Sequence, residues 1–94
     1  MILRPEAEAD LVNARDWYEQ QRLGLGAEFL LCVEEVLERI DRTPEIYAVI
    51  YHDVRRAFTR RFPYVVYYRI EVNEVVVLGI FHTRRNPREW QSRA

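Results

Sequence analysis

The residues with the most chemical potential stand near the end of the chain, in the stretch VVVLGIFHTRRNPREW from Val75 to Trp90. His82 is a side chain of the type whose charge changes near neutral pH, so it could serve as a general acid or base. Arg84, Arg85 and Arg88 follow it. Their guanidinium groups stay protonated, so they bind and stabilise anions but do not act as bases. An apolar strand that runs into such cations indicates an anion-binding surface.

Charge is unevenly distributed along the chain. Residues 1–47 carry 5 arginines and 11 acidic residues, for a net charge of −6. Residues 48–94 carry 9 arginines and 4 acidic residues, for a net charge of +5. All 14 basic residues are arginine. The second half is therefore the candidate surface for a nucleic acid, another anion or an acidic protein.

Length and composition limit the class of protein. The 94 residues suit one domain that spans 1–94, and a hydrophobic fraction of 49% is enough for a core. The single cysteine, Cys32, excludes a disulfide framework and a cysteine-rich zinc site, and it falls in an apolar helical stripe. His52 and His82 have no second ligand at metal spacing, so we expect neither a metal nor a cofactor. The absence of a long apolar run and of a signal peptide predicts a soluble cytoplasmic protein with no membrane contact.

Two helices are predicted in the first half, after a short apolar N-terminal strand. Pro5 suits the first turn of a helix that extends to about Arg22, and we expect Gly24 to cap its end. The second helix has the clearest periodicity, and Thr43-Pro44 ends it. Its apolar stripe follows an i, i+3, i+4, i+7 pattern: Phe29, Leu30, Val33, Val36, Leu37 and Ile40.

The second half reads as strands. Residues 64–72 and 75–81 are rich in β-branched and aromatic residues, with a tight turn at Asn73-Glu74 between them. Residues 54–62 form a weaker strand beside this hairpin, and a short tail follows from Pro87 to Arg93. Helices grouped before strands predict an α+β fold, in which an antiparallel helix hairpin packs on a mainly antiparallel sheet of three to four strands.

If the helices cover one face of the sheet, the other face is open or covered by a partner. Arginines from the strands and from the tail could gather near one edge of that face, interleaved with Tyr64, Tyr67, Tyr68 and Trp90. The alternative is an ordinary solvated charged face. The strand arginines concerned are Arg55, Arg56, Arg60, Arg61 and Arg69.

The pattern from Phe62 onward resembles a known family. An Arg-Phe-Pro-Tyr segment, a tyrosine-containing strand, a valine-rich strand and a closing His-x-x-Arg-x-Pro-x-x-Trp are similar to the RelE/ParE toxin superfamily, and within it to the ParE branch. The segment PEAEADLVNARDWYEQQRLGLGAEFL fits the helix hairpin that opens these proteins. The resemblance spans almost the whole chain.

This resemblance implies the toxin of a type II toxin–antitoxin module, a class linked to growth inhibition and plasmid stabilisation. It also implies a cognate ParD-like antitoxin, whose arm folds as helix and strand against the toxin and which alone contacts operator DNA. ParE-like members poison DNA gyrase without cutting nucleic acid themselves, so the chain is expected not to be an enzyme.

The alternative within the superfamily is a metal-independent messenger RNA endoribonuclease of the RelE type. RNA cleavage needs a base, an acid and cations for the developing phosphorane charge. His82, Arg84 and Arg55 are the residues that would supply them here. The set is incomplete because Ala57 falls on a second cation position, Trp90 stands at the position of a C-terminal tyrosine, and there is no lysine.

We expect the target-binding residues to be Arg84, Arg85, Arg88, Trp90, Arg60 and Arg61. In this hypothesis His82 orients the loop that carries the first of them. Structural roles are open for each: Trp90 could pin the tail to the core, and Arg84 or Arg85 could pair with Glu89 or Glu74. A third function is a degenerate toxin that is kept only as an antitoxin-binding module.

Overall fold

A computed structural model describes residues 1–94 of the protein. A short 3₁₀ turn, Pro44–Ile46, links the helical half of the chain to the sheet. The helices and strands, numbered in chain order, are β1 (Ile2–Leu3), α1 (Pro5–Gln21), α2 (Leu25–Arg42), β2 (Val49–Tyr51), β3 (Val54–Phe58), β4 (Tyr64–Glu71), β5 (Glu74–His82) and α3 (Pro87–Gln91). None of the helices combines the length and the hydropathy of a membrane-spanning segment. The predicted α+β architecture is confirmed, with a helix hairpin followed by a sheet.

The two long helices form as the sequence indicates, but their junction differs in detail. Pro5 opens α1, and α2 buries four members of the predicted stripe: Phe29, Val33, Val36 and Ile40. The residue that caps the end of α1 is Arg22, so the prediction that Gly24 does so is wrong. Gly24 instead precedes α2 with a left-handed φ of 89°, a conformation that glycine adopts without steric cost. The backbone N–H groups of Gly24 and Gly26 both donate to the Glu19 carboxylate at 2.9 Å, which fixes the hairpin.

The sheet has five strands in the order β1-β5-β4-β3-β2, one more than the predicted maximum. β1 runs parallel to β5, and the other neighbours are antiparallel. The unpredicted strand is β2, which is only three residues long and therefore too short to give a recognisable pattern. The turn between β4 and β5 is centred on Val72 and Asn73, both with positive φ, one residue earlier than predicted. Positive φ at both central residues is what a two-residue hairpin turn requires.

The chain covers one face of the sheet with its helices and part of the other face with its tail. The helix side holds the larger core, in which Phe29 and Ile40 pack against Val66 and Val77. On the other side, the tail folds back so that Trp90 closes a smaller cluster. The remaining buried members of that cluster are Val54, Val65, Tyr67, Val76, Leu78 and Phe81. The expectation of a face left open or covered by a partner is therefore corrected, because α3 covers part of it.

Candidate functional site

The loop after β5 is held in one conformation by its own backbone. The N–H of Arg84 donates to Nδ1 of His82, and the N–H of Arg85 donates to the His82 carbonyl, both at 3.0 Å. The N–H of Thr83 donates to the carbonyl of Pro63 at 2.9 Å. Because Nδ1 of His82 accepts a hydrogen bond, the neutral imidazole carries its proton on Nε2. His82 thus contacts the loop in the manner that an orienting role would need.

The helix that follows continues this arrangement. Asn86 caps α3, since its side-chain oxygen accepts from the N–H of Arg88 at 3.0 Å, and Pro87 occupies the first turn. Arg88 therefore projects from a capped turn close to Arg84 and Arg85 in sequence. We call residues 83–88 the cationic loop. It displays three guanidinium groups at the end of β5, where β4 begins and Tyr64 pairs with His82.

The three arginines of the cationic loop differ in their partners. Arg85 makes a two-point ion pair with Glu89, with nitrogen–oxygen distances of 2.6 and 3.2 Å, and it lies 4.6 Å from the centre of the Phe81 ring. This hydrogen bond to Glu89 raises the pKa of Arg85 and lowers the pKa of Glu89. Arg84 and Arg88 have no carboxylate partner among the ion pairs of the chain. Both are exposed, so their charge is available to a ligand.

Trp90 anchors this region instead of presenting a surface. Its ring stacks on Tyr67 with centroids 4.3 Å apart and an angle of 13°, and Tyr51 meets it edge-on at 5.6 Å. Only 7% of Trp90 is exposed, and the contact of Trp90 with a target stays a prediction. The alternative, that the tryptophan pins the tail to the core, describes this geometry. Trp90 thereby fixes the position of α3 and of Arg88.

Arg60 and Arg61 lie in the loop between β3 and β4 and are tied to α2. Arg61 Nη2 lies 2.9 Å from Glu28 Oε1, and Arg60 Nε lies 3.5 Å from Glu35 Oε1. Hydrogen bonds from Arg61 and then from Arg22 lower the pKa of Glu28. Unlike Arg84 and Arg88, these two arginines are paired with carboxylates of their own chain.

Two of the residues named for RNA cleavage, His82 and Arg84, are hydrogen-bonded to each other, but Arg55 lies away from them. Arg55 donates to the carbonyl oxygens of Tyr47 at 2.6 Å and Glu45 at 3.2 Å, so its guanidinium holds the segment before β2. On β4, Arg55 is opposite Tyr68 and His82 is opposite Tyr64. Four residues of strand separate these positions by about 13 Å. The carbonyl contacts account for Arg55 without a catalytic role.

A groove between α1 and β5 is the feature that sequence reasoning missed. It consists of two adjoining cavities of about 250 and 320 Å³, which share Trp17 and Tyr64. Trp17 is 55% exposed, and burial raises the pKa of Tyr64. The other lining residues are Asp10, Asn13, Ala14, Tyr18, Ile80, His82 and Arg85. On α1, Asp10, Asn13, Ala14 and Trp17 follow the i, i+3, i+4, i+7 spacing of one helix face, which is a signal that the sequence did contain.

No group of three or more His, Cys, Asp or Glu side chains is arranged to hold a metal ion. The site therefore consists of a groove on the helix side of the sheet edge and a cationic loop at the end of the same strand. Arg85 belongs to both, and His82 lines the groove and immediately precedes the loop.

Comparison with known proteins identifies the class. The family model described as the ParE toxin of the type II toxin–antitoxin system parDE matches residues 1–87, so the chain belongs to this family. A solved structure titled "Chromosomal ParDE TA system from P. aeruginosa" is similar, with a TM-score of 0.63 and 22% identity over 87% of this chain and 95% of that chain. At this identity the likeness supports the fold. No curated protein matches the chain.

Proposed function

We propose that this ParE-family toxin acts in the cytoplasm by binding DNA gyrase with its cationic loop and trapping the complex in which gyrase has cleaved DNA. The observation that carries the proposal is the pair of exposed, unpaired arginines, Arg84 and Arg88, on a loop whose backbone is fixed at the end of β5. The resemblance to the ParE branch, in contrast to the RelE branch, supports gyrase as the target.

The chemistry of the loop supports binding and not bond cleavage. Guanidinium groups form paired hydrogen bonds with carboxylates and phosphates, and they stay charged throughout. A fixed loop loses little conformational freedom on association, so more of the interaction energy appears as affinity. His82 contributes by holding the N–H of Arg84, and its ring lies against Tyr64 with centroids 5.4 Å apart.

We further propose that a ParD-like antitoxin neutralises the toxin by filling the groove between α1 and β5. The exposed Trp17 ring and the adjoining cavity beside Tyr64 suit an apolar side chain from a partner. Since Arg85 lines the groove and belongs to the cationic loop, an occupied groove would obstruct the loop. Operator DNA would be contacted through the antitoxin.

The first test is direct. Purified toxin without antitoxin is added to gyrase, supercoiled plasmid and ATP, and linear DNA is measured after the enzyme is denatured. We expect linear DNA that accumulates with toxin concentration and requires gyrase. Addition of antitoxin in equal amount should abolish it.

The same samples separate the alternatives. Messenger RNA incubated with the toxin alone, and with ribosomes, should stay intact. RNA cleavage without linear DNA would contradict the gyrase proposal and favour the endoribonuclease. Folded toxin that does neither and does not arrest growth, yet binds antitoxin, would favour the binding module.

A further inference from the structure

Arg93, the residue before the last, to which the sequence assigns no role, makes three side-chain hydrogen bonds. Its two terminal nitrogens lie 2.6 and 3.2 Å from the two carboxylate oxygens of Asp10 on α1. Nη1 also donates to the carbonyl of Leu78 at 3.1 Å, and the guanidinium lies 4.6 Å from the centre of the Phe81 ring. The side chains of Arg93 and Asp10 are only 21% and 14% exposed.

Asp10 joins three parts of the chain at one point. Besides Arg93, its Oδ2 accepts from the N–H of Ile80 at 3.0 Å. β1 pairs with β5 only at Val76 and Val77, so the outer edge of β5 beyond them has no neighbouring strand. The carboxylate therefore caps a free sheet edge and at the same time holds the tail against α1.

The segment that bears the arginines depends on such anchors. α3 has five residues, fewer than an isolated helix needs to be stable, so tertiary contacts must hold it. The cationic loop lies between two fixed points. One is His82 at the end of β5, and the other is the pair of contacts made by Trp90 within α3 and by Arg93 after it.

We propose that Asp10 and Arg93 are positioning residues for the cationic loop: their ion pair locks the tail onto α1 and β5, and this holds Arg84 and Arg88 in the orientation that the target binds. The inference rests on the proposed function in that the loop is the target-binding element, whatever the target is.

Alternative explanations of the pair predict different behaviour. An ion pair that only stabilised the fold would change the melting temperature without loosening the tail more than the rest of the chain. An adventitious surface pair would change neither, because exposed pairs contribute little. Two-point geometry, partial burial and the shared Ile80 N–H distinguish Asp10–Arg93 from such a pair.

The test compares hydrogen exchange and growth arrest in four variants of the full chain. Arg93→Gln removes the charge of the arginine, and Asp10→Asn removes the charge of the aspartate while keeping an oxygen that can accept from Ile80. Arg93→Lys keeps the charge but not the two-point geometry. Arg15→Gln is the matched control, since it breaks an exposed ion pair with Asp16 on the same helix.

We expect the amides of residues 83–94 to exchange about tenfold faster in Arg93→Gln and Asp10→Asn, since a charged hydrogen bond is worth roughly that much, while amides of α2 are unchanged. Growth arrest should need about tenfold more toxin in the same two variants. Arg93→Lys should be intermediate in both measurements, and Arg15→Gln should match the wild type. If Arg93→Gln does not fold, Arg93→Lys carries the comparison.

Two results would overturn the inference. One is exchange of residues 83–94 that stays at the wild-type rate when the pair is broken. The other is a loosened tail with undiminished growth arrest. Growth arrest does not depend on which molecule is poisoned, so a wild type that arrests growth without trapping gyrase would contradict the proposed function and leave this test intact.

Discussion

Two arginine-bearing loops meet at the same end of the sheet and are built in opposite ways. In the loop between β3 and β4, Arg60 and Arg61 are paired with glutamates of α2. In the cationic loop, Arg84 and Arg88 have no such partner, and backbone hydrogen bonds to His82 and Asn86 hold the chain instead. The two loops touch through the bond from the N–H of Thr83 to the carbonyl of Pro63.

This difference distinguishes arginines that hold parts of the fold together from arginines that are available to bind a partner. A guanidinium that already pairs with a carboxylate has fewer free N–H groups for another anion, so less of its interaction energy is available to a ligand. An unpaired guanidinium on a fixed backbone keeps that energy for a ligand. Equal residue type and similar exposure therefore do not imply equal function, and we expect only the cationic loop to bind the target strongly.

The largest expected effect comes from removing the unpaired charges. The double substitution Arg84→Ala/Arg88→Ala should raise the amount of toxin needed for growth arrest by about a hundredfold, because two charge-assisted contacts are lost. The matched control, Arg60→Ala/Arg61→Ala, removes two arginines of the neighbouring loop and should change it by about threefold or less. Both variants should bind antitoxin, and titrated induction in cells measures the difference. Equal loss in the two would mean that the contrast between the loops has no functional meaning.

Packing of the tail that carries the cationic loop should contribute more to the free energy of unfolding than its ion pairs do. Trp90→Ala removes a ring that is 93% buried between Tyr67 and Tyr51, so we expect the free energy of unfolding to fall by about 3–5 kcal/mol. Trp17→Ala, at a tryptophan that is 55% exposed, should lower it by less than about 1 kcal/mol and instead weaken antitoxin binding. Urea denaturation and a titration with antitoxin measure the two effects. A larger loss of stability in Trp17→Ala and a larger loss of antitoxin binding in Trp90→Ala would contradict the anchoring role of Trp90 and the place of Trp17 in the groove.

The sequence predicts those parts of the molecule that local patterns specify. The stripe of α2 recurs at a helical period, and β4 and β5 are runs rich in β-branched and aromatic residues, so the helix hairpin and the central strands could be found from them. Whether Trp90 is buried could not be predicted from the sequence, because burial and binding both favour tryptophan. The Asp10–Arg93 pair joins residues 83 positions apart, and no local pattern encodes such a contact. The same holds for Arg61 and Glu28, which are 33 positions apart.

Breaking the ion pair of the loop between β3 and β4 should test whether that loop and the cationic loop differ in function. Glu28→Gln removes the carboxylate that Arg61 and Arg22 share, and we expect faster hydrogen exchange at residues 59–63 with little change in growth arrest. Glu34→Gln is the matched control, because Glu34 lies on the same helix and has no ion pair. A gain of toxicity in Glu28→Gln would show that Arg61 is a latent target contact held back by its partner, and the distinction between the two loops would then be one of degree.

The smallest expected effect is a dependence of the loop between β3 and β4 on pH. The pKa of Glu28 is lowered from its ordinary 4.5, chiefly by the hydrogen bond from Arg61. A lowered pKa in the folded state means that the contribution to stability is complete above pH 4.5 and is lost as the pH falls through the lower, folded value. The loop between β3 and β4 should therefore loosen below pH 4.5, as seen in the signals of residues 59–63 by nuclear magnetic resonance.

The pKa of Glu89 is also lowered, chiefly by the hydrogen bond from Arg85, so Arg85 should be released in the same pH range. The signals of Arg84 and Arg88 should change less. Glu28→Gln should remove the transition at residues 59–63 and leave that of Arg85. If residues 59–63 of Glu28→Gln still showed the transition, protonation of Glu28 would not be its cause.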